Sequence, residues 1–276
     1  METQTTFQLI YDKDCPFCAW YSNLFVKFGF LKSEGRISYQ EAVNNQNFNF
    51  DEEKARNKIA LISNENNVSY GIDSLLKLIG TKIPLIETIG HFKPIHFLLS
   101  LLYAFMSYNR KAFAPSECNG TCDCYPSKSI FWRLTLVLLA GLYVNYVTWI
   151  YFTQHLNAYF ISDFYWLDSV FYLSQFGFQF LIFKLLKQKN FYDYAGQIAV
   201  ISFLGAVFLH VFHIGLTLIA RTGIDIQMLE PFCYGMVYLF MLYEHKKRIK
   251  ILGFTAWMSL SWVVFRFLIY PFAFEI

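Results

Sequence analysis

Between Leu134 and Ser162, and again between Tyr194 and Ala220, the chain carries no Asp, Glu, Lys or Arg. Uncharged runs of that length limit the fold more than anything else in the sequence. A helix needs about 20 mainly apolar residues to cross a bilayer, and both runs exceed this. Composition agrees, with 55% of the 276 residues hydrophobic and 20% aromatic, well past the balance of a soluble domain. A soluble all-helical bundle is disfavoured, because buried helices of soluble proteins are rarely so long and uncharged. The apolar pattern predicts an all-α transmembrane bundle of about five helices, at roughly 131–153, 165–186, 194–220, 226–243 and 251–272. The fourth contains Glu230 and Pro231 and reads as a broken or tilted helix.

Basic residues between spans stay on the cytoplasmic side. Lys128 and Arg133 precede the first span, Lys184, Lys187 and Lys189 lie between the second and third, and Lys246, Lys247, Arg248 and Lys250 between the fourth and fifth. The other connections carry Asp163 and Asp168, then Asp225 beside Arg221. All three basic clusters fall on one side. The expected topology therefore has the N-terminal region in the cytoplasm and Ile276 outside, as in a bacterial inner membrane. Met1 to Phe7 lacks the basic start and apolar core of a secretory signal, in keeping with a head that stays where it is made. The lipid bilayer is an expected partner; nucleic acid is not.

Most charged residues precede Lys128, which divides the chain into a soluble head, 1–125, and a membrane region, 126–276. The head has mixed periodicity, in an order that suggests an α/β layer structure. Strands are predicted at Thr6 to Tyr11, Arg36 to Gln40, Lys58 to Ser63 and Val68 to Tyr70, the last two joined by the turn Asn64-Glu65-Asn66-Asn67. Helices are predicted at Cys18 to Leu31, at Leu75 to Gly80 after a cap at Asp73 or Ser74, and from Pro94 to about Ala112. The order strand, cysteine-bearing helix, strand, hairpin, helix resembles a thioredoxin-like fold.

Where the first strand turns into the first helix stands Tyr11-Asp12-Lys13-Asp14-Cys15-Pro16-Phe17-Cys18. Two thiols at this spacing can close a disulfide, bind a soft metal or act as a redox couple; the strand-to-helix setting favours redox. A cysteine at a helix N-terminus has its thiolate stabilised by the free backbone N–H groups and the helix dipole. Cys15 is then the exposed attacking sulfur, and Cys18, a turn inward, resolves the mixed disulfide. Asp12 and Asp14 oppose thiolate formation through their charge, and are candidates for capping the helix or moving protons.

The segment Tyr-Asp-x-Asp-Cys-Pro-Phe-Cys resembles the signature of the DCC family of thiol-disulfide oxidoreductases. Ile59-Ala60-Leu61-Ile62, Gly71-Ile72-Asp73-Ser74-Leu75-Leu76 and Tyr108-Asn109-Arg110-Lys111-Ala112-Phe113 follow in the family's order, so the likeness covers about residues 5 to 118. It implies that Cys15 and Cys18 are the redox pair, that Asp12 and Asp14 are motif residues, and that a protein thiol or disulfide is the partner. Lys13 stands where the family carries glycine, and a lysine there favours the thiolate. None of the seven prolines immediately precedes the Lys58 strand, a departure from thioredoxins proper.

Cys118, Cys122 and Cys124 lie just before the first span. They can bind metal, form a second thiol relay, or rest as reduced thiols. Within the membrane region, His210, His213, Glu230 and Arg266 fall some 20 Å or more from the cytoplasmic ends, at about 1.5 Å per residue. Ionisable groups at such depth face a partner or a cavity. Glu230 with Arg266 is the expected ion pair, and the four residues together are a candidate quinone site. The alternative is that they only hold helices together.

Overall fold

The computed structural model describes residues 7–45, 48–63, 67–116, 126–156 and 167–266. The chain forms two compact units, Met1–Trp132 and Arg133–Ile276.

The first unit is built on four short strands, β1 (Gln8–Tyr11), β2 (Arg36–Ser38), β3 (Ala60–Ile62) and β4 (Val68–Tyr70), in the order β2-β1-β3-β4. β1 runs parallel to β2 and antiparallel to β3, which forms a hairpin with β4. Parallel pairing of β1 with β2 requires a crossover, supplied by α1 (Pro16–Lys27). Alternation along the strands divides the core in two. Leu9 and Leu61 face α1, α4 (Ile72–Gly80) and α6 (Lys93–Phe113), joining Leu31, Ile59, Leu78, Tyr21 and Tyr103. Ile10, Ala60 and Ile62 face the other way, onto Tyr39, Ala42 and Ala55.

Tyr39, Ala42 and Ala55 belong to two helices absent from the sequence reading, α2 (Tyr39–Asn44) and α3 (Glu52–Asn57). Strand β2 stops at Ser38 rather than Gln40 because Ser38 closes a capping box. Its Oγ accepts from the Glu41 amide at 3.2 Å, and its own amide donates to Glu41 Oε2 at 3.0 Å. Asp51 caps α3 by its side chain alone, accepting from the Lys54 amide at 3.0 Å. A further short helix, α5 (Pro84–Gly90), precedes α6 and meets it at 91°.

The second unit is helical: α7 (Ile130–Tyr151), which begins three residues before the unit boundary and ends in a π turn over Phe152–Leu156, α8 (Leu167–Leu185), α9 (Phe191–Ala220), α10 (Leu229–Ile251) and α11 (Trp257–Val264). Among the described residues, Ile130–Leu156 and Phe191–Ala220 are long and apolar enough to cross a membrane, with α5 and α6 a third if the bent pair is one segment. The remaining three expected spans fall on α8, α10 and α11. Of these, α8 buries Gln175 and Gln179, and α11 has eight residues.

Helix α10 corrects two expectations. Pro231 does not break it, because the helix starts at Leu229 and Pro231 lies in its first turn, where a missing N–H costs nothing. Lys246, Lys247, Arg248 and Lys250 are not in a loop but in the last two turns of α10, where cations suit the helix dipole. Arg248 is buried there against Glu244 (3.0 Å) and Gln197 (2.8 Å).

Candidate functional site

The end of β1 delivers the chain into a tight turn. The Asp14 amide donates to Asp12 Oδ1 at 3.1 Å, and the Cys15 amide donates to the Asp12 carbonyl at 3.3 Å. Cys15 is the N-cap of α1, its backbone extended (φ −95°, ψ 112°), and Pro16 occupies the first helical turn. Asp12 is thus a turn former with a buried carboxylate, whereas Asp14 is half-buried and accepts from Gln40 Nε2 at 3.3 Å.

Cys15 and Cys18 are both free thiols and interact directly. The Cys15 thiol is lowered from the usual 9.0 to about 6, chiefly because the Cys18 thiol donates to its sulfur. Burial opposes this; the Cys18 amide and Arg110 add to the lowering, and Asp12 works against it. Cys18 is raised, since it holds the donated proton and is itself buried. The result is a thiolate on the first cysteine and a thiol on the second.

Two expectations fail here. Cys15 is not exposed: its relative exposure is 0%, and that of Cys18 is 6%. The cation acting on Cys15 is not Lys13, an exposed side chain, but Arg110 from α6. Arg110 Nη2 lies 3.4 Å from Asp12 Oδ2 and donates to the Arg56 carbonyl at 2.9 Å. The sequence signal for Arg110 was its place in the Tyr108-to-Phe113 segment of the family likeness.

Cys18 also opens onto a cavity of about 340 Å³. Its walls are mostly apolar, from Phe17, Phe25, Ile72, Leu75, Leu99, Leu102 and Met106, with Asp12, Tyr21, Lys58, Tyr103, Ser107 and Arg110 among the polar residues. Tyr21 hydrogen-bonds to Cys18, and burial pushes both phenols above their usual value. The Tyr103 hydroxyl accepts from the Ile59 amide at 2.9 Å, which ties α6 to the start of β3. Neither tyrosine was singled out by spacing, since the cavity forms only when α1 and α6 meet.

In the helical unit, three of the four candidate residues gather and the fourth does not. His155 Nδ1 lies 3.0 Å from Glu230 Oε1, and its Nε2 lies 3.1 Å from His213 Nδ1. His210 packs beside His213, with ring centroids 6.0 Å apart, and its Nδ1 lies 3.0 Å from the Tyr143 hydroxyl. The expected Glu230–Arg266 ion pair is absent among the described residues. Glu230 opens α10 against the π turn of α7, whose His155 reaches its carboxylate first, while the Arg266 guanidinium lies 5.7 Å from the Trp262 ring centroid. His155 is the residue that spacing missed, although it is an ionisable side chain in an otherwise uncharged run. Cys118, Cys122 and Cys124 lie outside the described residues, and among the described ones no group of three or more His, Cys, Asp or Glu side chains is placed to hold a metal ion.

A comparison with family models, curated proteins and solved structures finds no match for the chain.

Proposed function

We propose that this chain is a membrane-anchored thiol-disulfide oxidoreductase of the DCC type, with a thioredoxin-like head on the cytoplasmic side and Cys15 and Cys18 as its redox couple. The observation that carries this reading is the paired free thiols at the start of α1, with the Cys18 proton held toward the Cys15 sulfur. It is supported by the parallel β1–α1–β2 unit followed by a hairpin and a helix, the element order that a thioredoxin-like head requires.

In the proposed reaction the Cys15 thiolate attacks one sulfur of a partner disulfide. That S–S bond breaks, a mixed disulfide forms with the attacked sulfur, and the partner's other sulfur is freed as a thiolate while the partner stays bound. With Cys15 no longer anionic, Cys18 loses the acceptor that held its proton. Its thiolate then attacks Cys15 and releases the partner's second thiol. The partner disulfide is reduced to two thiols, and the Cys15–Cys18 dithiol is oxidised to a disulfide. Since Cys15 is buried, its surroundings must open before a protein disulfide reaches it.

The experiment is trapping. A Cys18→Ser variant of the full chain retains the mixed disulfide with its partner, and adding Cys15→Ser abolishes it. Trapping that survives loss of Cys15 refutes the assignment. Burial of both sulfurs favours one other reading, in which the head is a regulatory or docking module for the membrane region and the pair never cycles. Alkylation mass shifts in cells separate the two, because a cycling pair shows both oxidised and reduced populations.

A further inference from the structure

Helices α5 and α6 are fixed to the head by one side and bare on the other. A Cβ at Gly90 would run into the Leu76 side chain, so α5 sits tightly on α4 there, and Glu87, the acid of α5, is turned onto Gly80. What α5 leaves outward is Leu85, Ile86 and Ile89, exposed by 67, 40 and 46%. Helix α6 is buried towards its end, at Ser107, Asn109 and Arg110, while its first half presents Phe97, Leu98, Leu101 and Leu102. These last four are exposed by 66, 57, 39 and 53%. Helical spacing places 85, 86 and 89 on one face, and likewise 97, 98, 101 and 102. No Asp or Glu occurs from Thr88 to Asn109, and Asp73 nearby is engaged by His96 at 2.7 Å. A patch of this extent on a water-facing surface marks an interaction site.

We propose that this face lies on the lipid bilayer, with α5 and α6 as an interfacial element whose apolar side chains enter the boundary between headgroups and acyl chains. The pair is apolar enough to pass as a membrane segment, yet its 91° bend and its attachment to α4 and β3 suit it to lie in the interface rather than cross. A bilayer is within reach by construction. Residue Ile130 begins a helix able to cross it, and the stretch 114–129 spans at most about 55 Å even when fully extended. Lys93, exposed at the start of α6, suits an anionic headgroup layer, while Lys82 before α5 donates to the Phe28 carbonyl at 2.9 Å. Leu102 belongs both to this face and to the wall of the cavity beside Cys18, so seating the face on lipid also covers that side of the cavity. None of this depends on the thiol chemistry.

The test uses the full chain in vesicles of phosphatidylethanolamine and phosphatidylglycerol, doped with phospholipid bearing a photoreactive diazirine either near the glycerol or at the acyl terminus. The expected result is labelling of the peptide over 84–103 by the glycerol-proximal probe, at least tenfold above that of the peptide containing Val43, an exposed apolar residue elsewhere on the head. A Leu98→Glu, Leu101→Glu variant should lose this labelling and keep that of the peptide over 191–220, which shows that the protein remains inserted. Equal labelling of the Val43 peptide, no labelling over 84–103, cross-linking of that peptide to a second copy, or labelling by the acyl-terminal probe alone would each overturn the proposal, the last by making the pair a crossing segment.

Discussion

Asp12 and Arg110 are 98 residues apart in the chain, yet Oδ2 of one and Nη2 of the other lie 3.4 Å apart with both side chains buried. The pair joins the end of β1 to the C-terminal half of α6, and so holds α6 beside the cysteines. It also sets opposing charges beside Cys15, the guanidinium lowering its pKa and the carboxylate raising it.

Breaking one partner strands the other as a buried charge, which typically costs about 3–5 kcal/mol. Arg110→Met should therefore lower the unfolding midpoint of the full chain sharply. Asp12→Asn combined with Arg110→Met should recover much of the loss, measured by thermal unfolding in detergent. Independent, additive effects of the two changes would show that the pair is not coupled.

The Cys15 thiolate gives alkylation a defined pH profile. With the thiol lowered to about 6, the rate should fall about tenfold per unit below that pH and level off above it. Since the folded value lies below the unfolded one, the thiolate contributes stability that grows from pH 6 toward 9 and is lost as pH falls through 6. Above 9 the raised Cys18 thiol works in the opposite direction. Arg110→Met should move the alkylation midpoint up and Asp12→Asn should move it down. A midpoint near 9 in the unaltered protein would refute the arrangement.

Cys18→Ala removes the donated proton that lowers Cys15 most, and should raise the Cys15 midpoint by at least a unit. Cys18→Ser keeps a donor and should raise it less. Equal shifts in the two variants would assign the lowering to the helix end and Arg110 instead. Iodoacetamide kinetics followed by mass spectrometry read the difference.

In the helical unit, Glu230→Gln and His155→Phe should be non-additive in thermal unfolding, since the two side chains share a contact. Each is expected to cost about 1–2 kcal/mol, the upper range for polar contacts within membranes. Glu230→Gln and Arg266→Gln should simply add, because Arg266 packs on Trp262 instead.

Gly205→Val tests the packing of α9 on α10. A Cβ at Gly205 already runs into the Met241 side chain, so small size is what allows the helices to approach. A loss of about 1–3 kcal/mol is expected, with Met241→Ala partly restoring stability in the double variant. A neutral Gly205→Val would mean that the Met241 side chain moves aside without cost.

Much of this protein follows from local pattern alone. Charge-free runs around Leu134 and Tyr194 specify two helices able to cross a membrane, because each backbone group there must be satisfied within its own segment. Short apolar runs at Gln8–Tyr11 and Ala60–Ile62 specify strands, and Pro16 after Cys15 specifies a helix start, since propensity and capping act over one or two turns. Even α2 was legible in principle from Ser38 and Glu41, three residues apart. Tertiary structure alone decided which distant groups meet. Arg110 rather than Lys13 acts on Cys15, His155 rather than Arg266 holds Glu230, and the folded head buries a sulfur that the motif by itself leaves exposed. Each of these depends on how separate elements pack, and the partner of a buried charge is chosen by proximity in the packed core, which no spacing along the chain encodes.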